Sequence, residues 1–186
     1  MNLRDAINEV LSNLNELPLD VDDLIEDVPT AIIVNSQLEI ARRKVLSYGW
    51  NFNSLTYTLT PDDEGYIVIP STWLSVDGYD DNDLIVRDYK LFNKAEMSYT
   101  FSGSVELDVI EDSLFDDIPF HIANYIIQVA SLQSYINIVG NTDDISLRKL
   151  AVDNARLEAI RDDANKIDGN LLTSTFATTL LDRTSK

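Results

Sequence analysis

The spacing of apolar residues changes twice along the 186-residue chain, and these changes limit the folds that it can adopt. Toward both ends of the chain, apolar residues recur every three or four positions, which is the spacing of one helix face. In the middle they alternate with polar residues, which is the spacing of a strand with one buried face. The pattern predicts an α+β fold: N- and C-terminal helix pairs form a four-helix bundle, and an antiparallel β-sheet lobe is inserted between them.

Two helices are predicted before the sheet. Residues 3–15 carry apolar side chains at helical spacing, and Asn2 stands where it can cap the first turn. The second helix is predicted to run from about Thr30 to Tyr48. Gly49 ends it, because a glycine adopts the left-handed conformation of a helix C-terminus at little steric cost.

Two more helices are predicted after the sheet. One begins near Pro119, whose missing N–H costs nothing in a first turn, and ends at Gly140. The other covers about residues 143–167, with Asn141 or Thr142 as its cap. The apolar stripes predicted to face the core are Ile122, Ile126, Val129, Ala130, Ile136 and Val139 in the first of these helices, and Leu147, Leu150, Ala151, Leu157, Ile160 and Ala164 in the second.

Strands are predicted through the middle of the chain. The segments LTYTLT (55–60) and YIVIP (66–70) flank PDDEG, a turn sequence that ends in glycine, and they are predicted to pair as a hairpin. A polar loop is expected at 77–83. The other predicted strands are 72–76, 84–87, 89–92, 98–101 and 104–110.

The stretch SYGWNFN at 47–53 marks the change from helix to strand. Trp50 and Phe52 are two residues apart, which predicts an extended chain with both rings on one side and the asparagines on the other. We interpret the rings as packing beneath the end of the helix, so that they join it to the sheet. An aromatic platform for a ligand is the alternative.

These segments predict a division into three parts. Residues 1–50 and 114–168 form a discontinuous helical bundle, residues 51–113 form the antiparallel β lobe, and residues 169–186 form an extended C-terminal tail. The tail is apolar and rich in threonine, without a strong helical period. We expect it to dock on another protein, with candidate contacts at Leu171, Leu172, Phe176, Leu180 and Leu181.

The charge and the absence of cysteine exclude several classes of protein. With 32 acidic and 14 basic residues, the chain has a net charge of −18 and lacks the basic surface of a nucleic-acid-binding protein. Two interpretations of the negative charge are open. The charge keeps the protein soluble, or it prevents a surface that lies close to DNA from binding the DNA. Without cysteine there is no disulfide, cysteine metal site or thiol catalysis. The sequence shows no signal peptide or membrane span, so we expect a soluble protein made in a cytoplasm.

The sequence offers little catalytic chemistry. His121, the one histidine, lies at the start of an apolar helix and is interpreted as structural. The acidic clusters lack the spacing of a calcium loop, and we interpret them as solvated surface, with a divalent cation site or a glycosidase pair as alternatives. We therefore predict no catalytic residue, no metal and no cofactor. The clusters are Asp62, Asp63 and Glu64; Asp80, Asp81 and Asp83; and Glu111, Asp112, Asp116 and Asp117.

The order and spacing of several motifs resemble the tail tubular protein A family of short-tailed bacteriophages, also called adaptor or gatekeeper proteins. After the first helix, NELPLDVDD is similar to the family's Gly-Glu-Pro-Pro-like turn, with Asn15 where glycine is usual. The segments 83–93, 104–126 and 162–172 also resemble family segments. The matching motif residues are Gly49, Trp50, Phe52 and Asn53 in a Gly-Trp-x-Phe-Asn element, and Pro61, Gly65, Ile67 and Pro70 in a hairpin element.

The resemblance implies a structural role in the virion. Family members form a ring of about twelve copies between the capsid portal and the tail nozzle, around the channel through which DNA leaves. The partners implied are other copies of the chain, the portal protein and a nozzle protein similar to tubular protein B, but no membrane. The helices and tail are expected to contact the portal and neighbouring copies, and the β lobe the nozzle. Candidate acids facing the channel are Asp80, Asp81 and Asp83.

Two other functions are considered. A carboxylate-dependent glycan hydrolase of a phage tail would need two acids and aromatic rings in a deep cleft. An acidic DNA mimic that inhibits a host protein would be a monomer or dimer that binds a basic partner. The matched motifs favour a structural adaptor over both, located at the portal end of the virion tail and made in the bacterial cytoplasm.

Overall fold

The computed structural model describes residues 1–78, 83–140 and 144–172, with the backbone alone described for 167–172. Within these residues the chain forms four α-helices and five β-strands, so the predicted α+β class is confirmed. The helices are α1 (Leu3–Asn13), α2 (Pro29–Leu46), α3 (Phe120–Ile138) and α4 (Ile145–Leu172). The strands are β1 (Ser54–Leu59), β2 (Trp73–Gly78), β3 (Leu84–Arg87), β4 (Lys90–Asn93) and β5 (Val105–Glu111).

The chain divides into two compact units. The first, called the helical unit here, contains Met1–Ala41 and Ile118–Lys186. The second, called the β unit, contains Arg42–Asp117 and therefore holds the last residues of α2 together with all five strands. No described helix is both long enough and apolar enough to cross a membrane.

The helical unit begins with a capped helix. The Asn2 side chain accepts a hydrogen bond from the Asp5 N–H at 2.8 Å, and the Asp5 carboxylate accepts one from the Asn2 N–H at 3.4 Å. This reciprocal pair is a capping box, which confirms the predicted cap. Past the end of α1, Asn15 takes a φ of 60°, a left-handed conformation that asparagine tolerates better than most residues. The buried residues of α1 are Ala6, Ile7, Val10 and Leu11.

The face of α4 predicted to point into the core is exposed. Helix α3 contacts both α1 and α4, and up to residue 166 the buried side chains of α4 are Ala155 and Ala159. The small alanine side chains allow the backbones of α3 and α4 to approach closely. The prediction followed the larger apolar residues, and their spacing alone does not reveal which face of α4 contacts the neighbouring helix. The exposed residues of the predicted stripe are Leu147, Leu150, Ala151, Leu157, Ile160 and Ala164.

The stripe predicted for α3 holds only in the first half of the helix. Ile122, Ile126 and Ala130 are buried, whereas Ile136 and Val139 are exposed. Residues with polar groups occupy the buried positions near the C-terminal end of α3. One of these groups, Ser131 Oγ, accepts a hydrogen bond from Asn13 Nδ2 at 3.1 Å. The buried residues there are Ser131, Ser134 and Tyr135.

Side chains of α1 hold the segment between α1 and α2 in one conformation. The Asn8 side chain accepts a hydrogen bond from the Leu19 N–H at 2.8 Å and donates one to the Leu19 carbonyl at 3.3 Å. The Arg4 guanidinium donates to the carbonyls of Asp20 at 2.6 Å and Asp23 at 2.9 Å. The loop is therefore ordered by contacts with a helix rather than by a core of its own.

In the β unit, β5 is the central strand of a three-stranded antiparallel sheet, with β1 on one side and β2 on the other. Tyr57 and Leu107 are opposite each other, as are Val76 and Val109. Strands β3 and β4 form a separate antiparallel pair. Buried residues of both sheets and of the 66–70 segment share one core: Ile67, Ile69, Leu84, Leu91, Leu107 and Val109.

The predicted hairpin between 55–60 and 66–70 is wrong. Strand β1 pairs along its whole length with β5, which follows it by about fifty residues. The 66–70 segment instead lies beside β4, where the Leu91 N–H donates to the Ile67 carbonyl at 2.9 Å. The turn residues at 61–65 were recognised correctly, but a turn signal does not determine which alternating segments make the better cross-strand contacts.

The remaining strand predictions differ in accuracy. The strand at 84–87 has the predicted bounds, and those at 72–76, 89–92 and 104–110 are shifted by one or two residues. The strand at 98–101 is wrong, because this segment makes single bridges only, with Thr100 opposite Tyr66 and Ser98 opposite Asn93.

Candidate functional site

The end of α2 and the start of β1 are joined by a turn that contains the Gly-Trp-x-Phe-Asn motif. Gly49 has a φ of 73°, and its N–H donates to the Leu46 carbonyl at 3.1 Å. A Cβ added here would lie 3.0 Å from Ile110 Cδ1 and 3.2 Å from Ser54 Oγ. Both the backbone conformation and the close approach of β5 therefore require glycine.

Substitution Gly49→Ala is expected to lower the free energy of unfolding by about 1–2 kcal/mol, because the methyl group meets β5 and the positive φ is strained. Urea denaturation of the full chain measures the change. Gly103→Ala is the matched control, since a Cβ there has no neighbour within 4 Å, and it should change stability by less than about 0.5 kcal/mol. Equal losses for the two variants would contradict this account of Gly49.

The turn buries Trp50 against the end of α2. Its side chain is 5% exposed, and Nε1 donates to the Val45 carbonyl at 2.7 Å. The extended conformation predicted here is wrong: residues 51–53 form a turn, in which the Asn53 N–H donates to the Trp50 carbonyl at 3.0 Å. Phe52 is half-buried. Since the Trp50 ring is enclosed, it does not offer an open face to a ligand.

Asn53 connects the helix end, the turn and the sheet. Its side chain, which was predicted to lie on the side of the chain opposite the two rings, is buried, with 1% of the residue exposed. The side-chain oxygen accepts from the Trp50 N–H at 2.9 Å, and Nδ2 donates to the carbonyls of Leu46 at 3.2 Å and Glu111 at 2.8 Å. A buried amide can satisfy one donor and two acceptors at once, so Asn53 bonds to the helix end, the turn and the sheet together.

A buried ion pair lies beside the turn. Arg42 Nη1 bonds to the Asp112 carboxylate and donates to the Ser113 carbonyl at 2.6 Å. The side chains of Arg42 and Asp112 are 9% and 11% exposed, so interpreting Asp112 as a solvated acid is wrong. The neighbouring Arg43 is 64% exposed and lies 3.5 Å from the same carboxylate. No local pattern indicates this pair, because its members are seventy residues apart in the chain.

Glu111 joins two aromatic rings at the end of β5. Its carboxylate accepts from Tyr57 OH at 2.9 Å and from Trp73 Nε1 at 3.2 Å, and the two rings stack with centroids 5.1 Å apart. The hydrogen bond to Glu111 raises the pKa of the Tyr57 phenol, and burial and the Glu111 charge raise it further. The protonated Tyr57 phenol therefore stabilises the fold through its bond to Glu111. This stabilisation is present at neutral pH and is lost as the pH rises through the pKa of Tyr57 in the folded state.

The second motif forms a tight turn between β1 and the 66–70 segment. The Asp62 carboxylate accepts hydrogen bonds from the Glu64 and Tyr66 N–H groups at 3.0 and 2.8 Å. Gly65 takes a φ of 86°, and its carbonyl accepts from the Phe101 N–H at 2.9 Å. The motif residues therefore shape the backbone; Pro61 is half-buried, Ile67 is buried and Pro70 is exposed.

The residues considered for catalysis do not converge on one site in the described part of the chain. His121 Nε2 lies 4.0 Å from the Asp162 carboxylate, which also binds Lys166 Nζ at 2.8 Å. The hydrogen bond from Lys166 is the main cause that lowers the pKa of Asp162. Across residues 1–78, 83–140 and 144–166, no three histidine or acidic side chains cluster closely enough to hold a metal ion.

The candidate channel and contact residues fall mostly beyond the described ranges. Asp83 is described, and its carboxylate lies 3.7 Å from Lys94 Nζ. Helix α4 continues through Gly169 to Leu172 instead of ending near residue 167, so the predicted tail begins within a helix. The other predicted residues lie outside the described part of the structure: Asp80, Asp81, Phe176, Leu180 and Leu181, the predicted caps Asn141 and Thr142, and the side chains of Leu171 and Leu172.

Comparison with known proteins gives two results. The sequence model of the tail tubular protein family matches residues 4–168. The chain is also 34% identical over 137 residues to tail tubular protein A of Klebsiella phage KP34, which covers 73% of each chain. The matched range includes both motif turns and most of α4. The chain therefore belongs to the tail tubular protein family and is a structural component of a bacteriophage tail, not an enzyme.

Proposed function

We propose that this chain is a ring-forming tail adaptor, which joins the capsid portal to the tail nozzle and surrounds the channel through which DNA leaves. The observation that carries the proposal is the family match over residues 4–168, which extends through both structural units. The motifs at 49–53 and 61–70, which resemble those of adaptor proteins, support this more specific role. The adaptor would lie at the portal end of the tail.

Exposed apolar side chains in the helical unit support contacts with other subunits. Leu150 and Leu157 in α4 are 56% and 60% exposed, although both are large and apolar. Exposed apolar surface bordered by polar residues is typical of protein interfaces. We assign the contacts with the portal and with neighbouring copies to the helices, arranged as one bundle from 1–50 and 114–168, and the contact with the nozzle to the lobe at 51–113.

The charge of the chain suits a collar through which DNA passes without being held. Each copy carries a net charge of −18, so a ring of about twelve copies would be strongly negative. A protein holds DNA by releasing counterions from phosphates with lysine and arginine, and such contacts would slow its passage. Among the candidate channel acids, Asp83 is exposed but lies beside Lys94, which reduces its share of this repulsion.

The C-terminal residues are proposed to attach the ring to the portal. They include Leu171 and Leu172 at the end of α4, followed by Phe176, Leu180 and Leu181. A short apolar segment buries little surface by itself, so docking on a partner would give it the larger gain. The portal is the partner that the resemblance to adaptor proteins implies.

Deletion of residues 173–186 tests this attachment, because it removes the part of the tail that follows α4 and leaves α4 whole. We expect the truncated chain to unfold at the same urea concentration as the full chain and to bind the isolated portal at least about tenfold more weakly. Co-sedimentation with the portal measures the binding. A matched variant that replaces Phe176, Leu180 and Leu181 with serine keeps the length and should lose binding equally. Undiminished binding by both variants would refute the role of the tail.

A further inference from the structure

We infer that the loop between α1 and α2 of one copy docks on the outer side of α4 in the next copy. The inference rests on the proposed function, since it names the contact by which neighbouring copies of the adaptor would join. Two surfaces of the helical unit carry it. The acidic loop is residues 16–27, and the α4 outer face consists of Lys149, Leu150, Asp153, Arg156, Leu157, Ile160 and Arg161, with three basic residues and one acidic residue.

The α4 outer face points away from α3. Leu157 is two residues from each of the buried alanines Ala155 and Ala159, and two residues correspond to about 200° around a helix. Leu150 lies seven residues before Leu157, which places it almost in line along the helix. Ile160 is 45% exposed and widens the strip on one side. Helix α4 therefore contacts α3 through small side chains and presents its large apolar side chains outward.

Basic residues border this apolar strip, and one exposed acid, Asp153, lies within it, so the basic charges exceed the acidic one. Lys149 and Arg156 lie along one edge, and Arg161 lies along the other. All three are exposed, and within the described residues none of them forms an ion pair. The chain has 14 basic residues against 32 acidic ones, and these three basic groups lie on one side of one helix, where they can bind the carboxylates of a partner. Their position favours an acidic, apolar partner.

The acidic loop has this composition. It contains no lysine or arginine, and each of its acidic residues is exposed. Leu17 is 86% exposed, Val21 90% and Leu24 54%, so apolar side chains stand among the carboxylates. The loop is thus complementary to the α4 outer face in both charge and apolar character. The acidic residues are Glu16, Asp20, Asp22, Asp23, Glu26 and Asp27.

The loop is ordered before any partner binds. Arg4 and Asn8 hold it through the main chain of Leu19, Asp20 and Asp23, and the single charge of Arg4 offsets only part of the six acidic charges of the loop. A preorganised loop loses less conformational entropy on binding than a flexible one. This favours the loop as a docking element rather than as a solvated connection.

A second copy of the chain is the occupant that fits both surfaces. Two α4 outer faces placed together would bring guanidinium groups close to one another, whereas a loop and an α4 face pair opposite charges. Because the two surfaces differ, each copy can use its loop on one neighbour and its α4 on another. Such head-to-tail contacts form a closed ring when the rotation between copies closes.

Cross-linking tests the contact directly, because the chain has no cysteine of its own. The full-length Val21→Cys and Leu157→Cys proteins are mixed over a concentration series, with and without the isolated portal, and treated with a short bis-maleimide. We expect a 1:1 cross-linked species from the mixture and a ladder of multimers from the double variant. The Leu114→Cys protein, which carries its cysteine at another exposed leucine, is the control. It is mixed with the Val21→Cys protein and with the Leu157→Cys protein in turn, and neither mixture should give a comparable cross-linked product.

Charge reversal tests the specificity of the contact. Arg156→Glu with Arg161→Glu, placed in the Leu157→Cys protein, should reduce the cross-linked product about tenfold. Asp22→Lys with Glu26→Lys, placed in the Val21→Cys partner, should restore it, because the charges are exchanged rather than removed. Lys44→Glu reverses an exposed charge in the β unit and should change nothing.

Three results would overturn the inference: cross-linking of Leu157→Cys mainly to itself, undiminished product after charge reversal, or no product in the presence of the portal. The failure of this inference is distinguishable from that of the proposed function. Portal binding without a link between positions 21 and 157 would reject the contact alone. The link without portal binding would support the contact and reject the adaptor role.

Discussion

Replacement of Arg42 by methionine is expected to lower the free energy of unfolding by about 3 kcal/mol, because it leaves the Asp112 carboxylate enclosed without its main partner. The Asp112 side chain is 11% exposed, so water cannot fully replace the guanidinium. The Ser113 carbonyl loses a donor in the same change. Urea denaturation of the full chain, monitored by tryptophan fluorescence, measures the loss of stability.

The adjacent arginine supplies the control. Arg43→Met removes the same charge from the same helix, but the Arg43 side chain is 64% exposed, and its loss should cost less than about 0.5 kcal/mol. Adding Asp112→Leu to Arg42→Met should recover part of the stability, since no buried charge then remains unpaired. Equal effects of Arg42→Met and Arg43→Met would show that burial does not govern this pair.

Replacement of Asn53 by aspartate is expected to cost about 2–4 kcal/mol at neutral pH, although the two side chains have nearly the same shape. The new carboxylate can still accept from the Trp50 N–H, but it cannot donate to the Leu46 and Glu111 carbonyls. Both carbonyls would lose the donor that Asn53 supplies, although the Leu46 carbonyl keeps the Gly49 N–H, and a negative charge would lie among carbonyl oxygens in a buried site.

The pH dependence of this variant separates charge from packing. The surroundings raise the pKa of the introduced carboxyl in the folded state, so the loss of stability is largest above that pKa and shrinks as the pH falls through it. Asn154→Asp, the same change at an exposed position of α4, should shift stability by less than about 0.5 kcal/mol. A pH-independent loss for Asn53→Asp would point to a role in shape alone.

The first three helices were predicted from sequence with small errors, because their ends carry local signals. Asn2 caps α1, Gly49 ends α2 with a positive φ, and Gly140 does the same after α3. Each signal depends on residues within one or two turns of the helix end. The strand at 84–87 was also predicted correctly, since its partner follows after a two-residue turn.

Contacts between distant parts of the chain were not predictable from one sequence. Strand β1 pairs with β5 rather than with the nearby 66–70 segment, and both alternatives satisfy the alternating pattern. Helix α4 uses Ala155 and Ala159 toward α3, while its leucines gave the stronger apolar pattern. In both cases the local pattern is correct, but the choice of partner depends on tertiary packing.

The buried polar groups of the candidate site were missed for a related reason. Asparagine and aspartate are usually surface residues, so the burial of Asn53 and Asp112 was not expected. The sequence around them does not show that their partners Leu46, Glu111 and Arg42 lie within hydrogen-bonding distance. The motif resemblance did single out Asn53, which occupies the last position of the Gly-Trp-x-Phe-Asn element. A polar residue fixed in a motif between a helix and a strand is the signal that could have revealed its burial.

The measurement that tests the adaptor proposal most directly is electron microscopy of the full chain mixed with the portal protein of the same phage, with the mass of the complex determined by light scattering. The account predicts a closed ring of about a dozen copies seated on the portal around an open channel. A chain that remains a monomer or dimer, and does not bind the portal at any concentration, would contradict it.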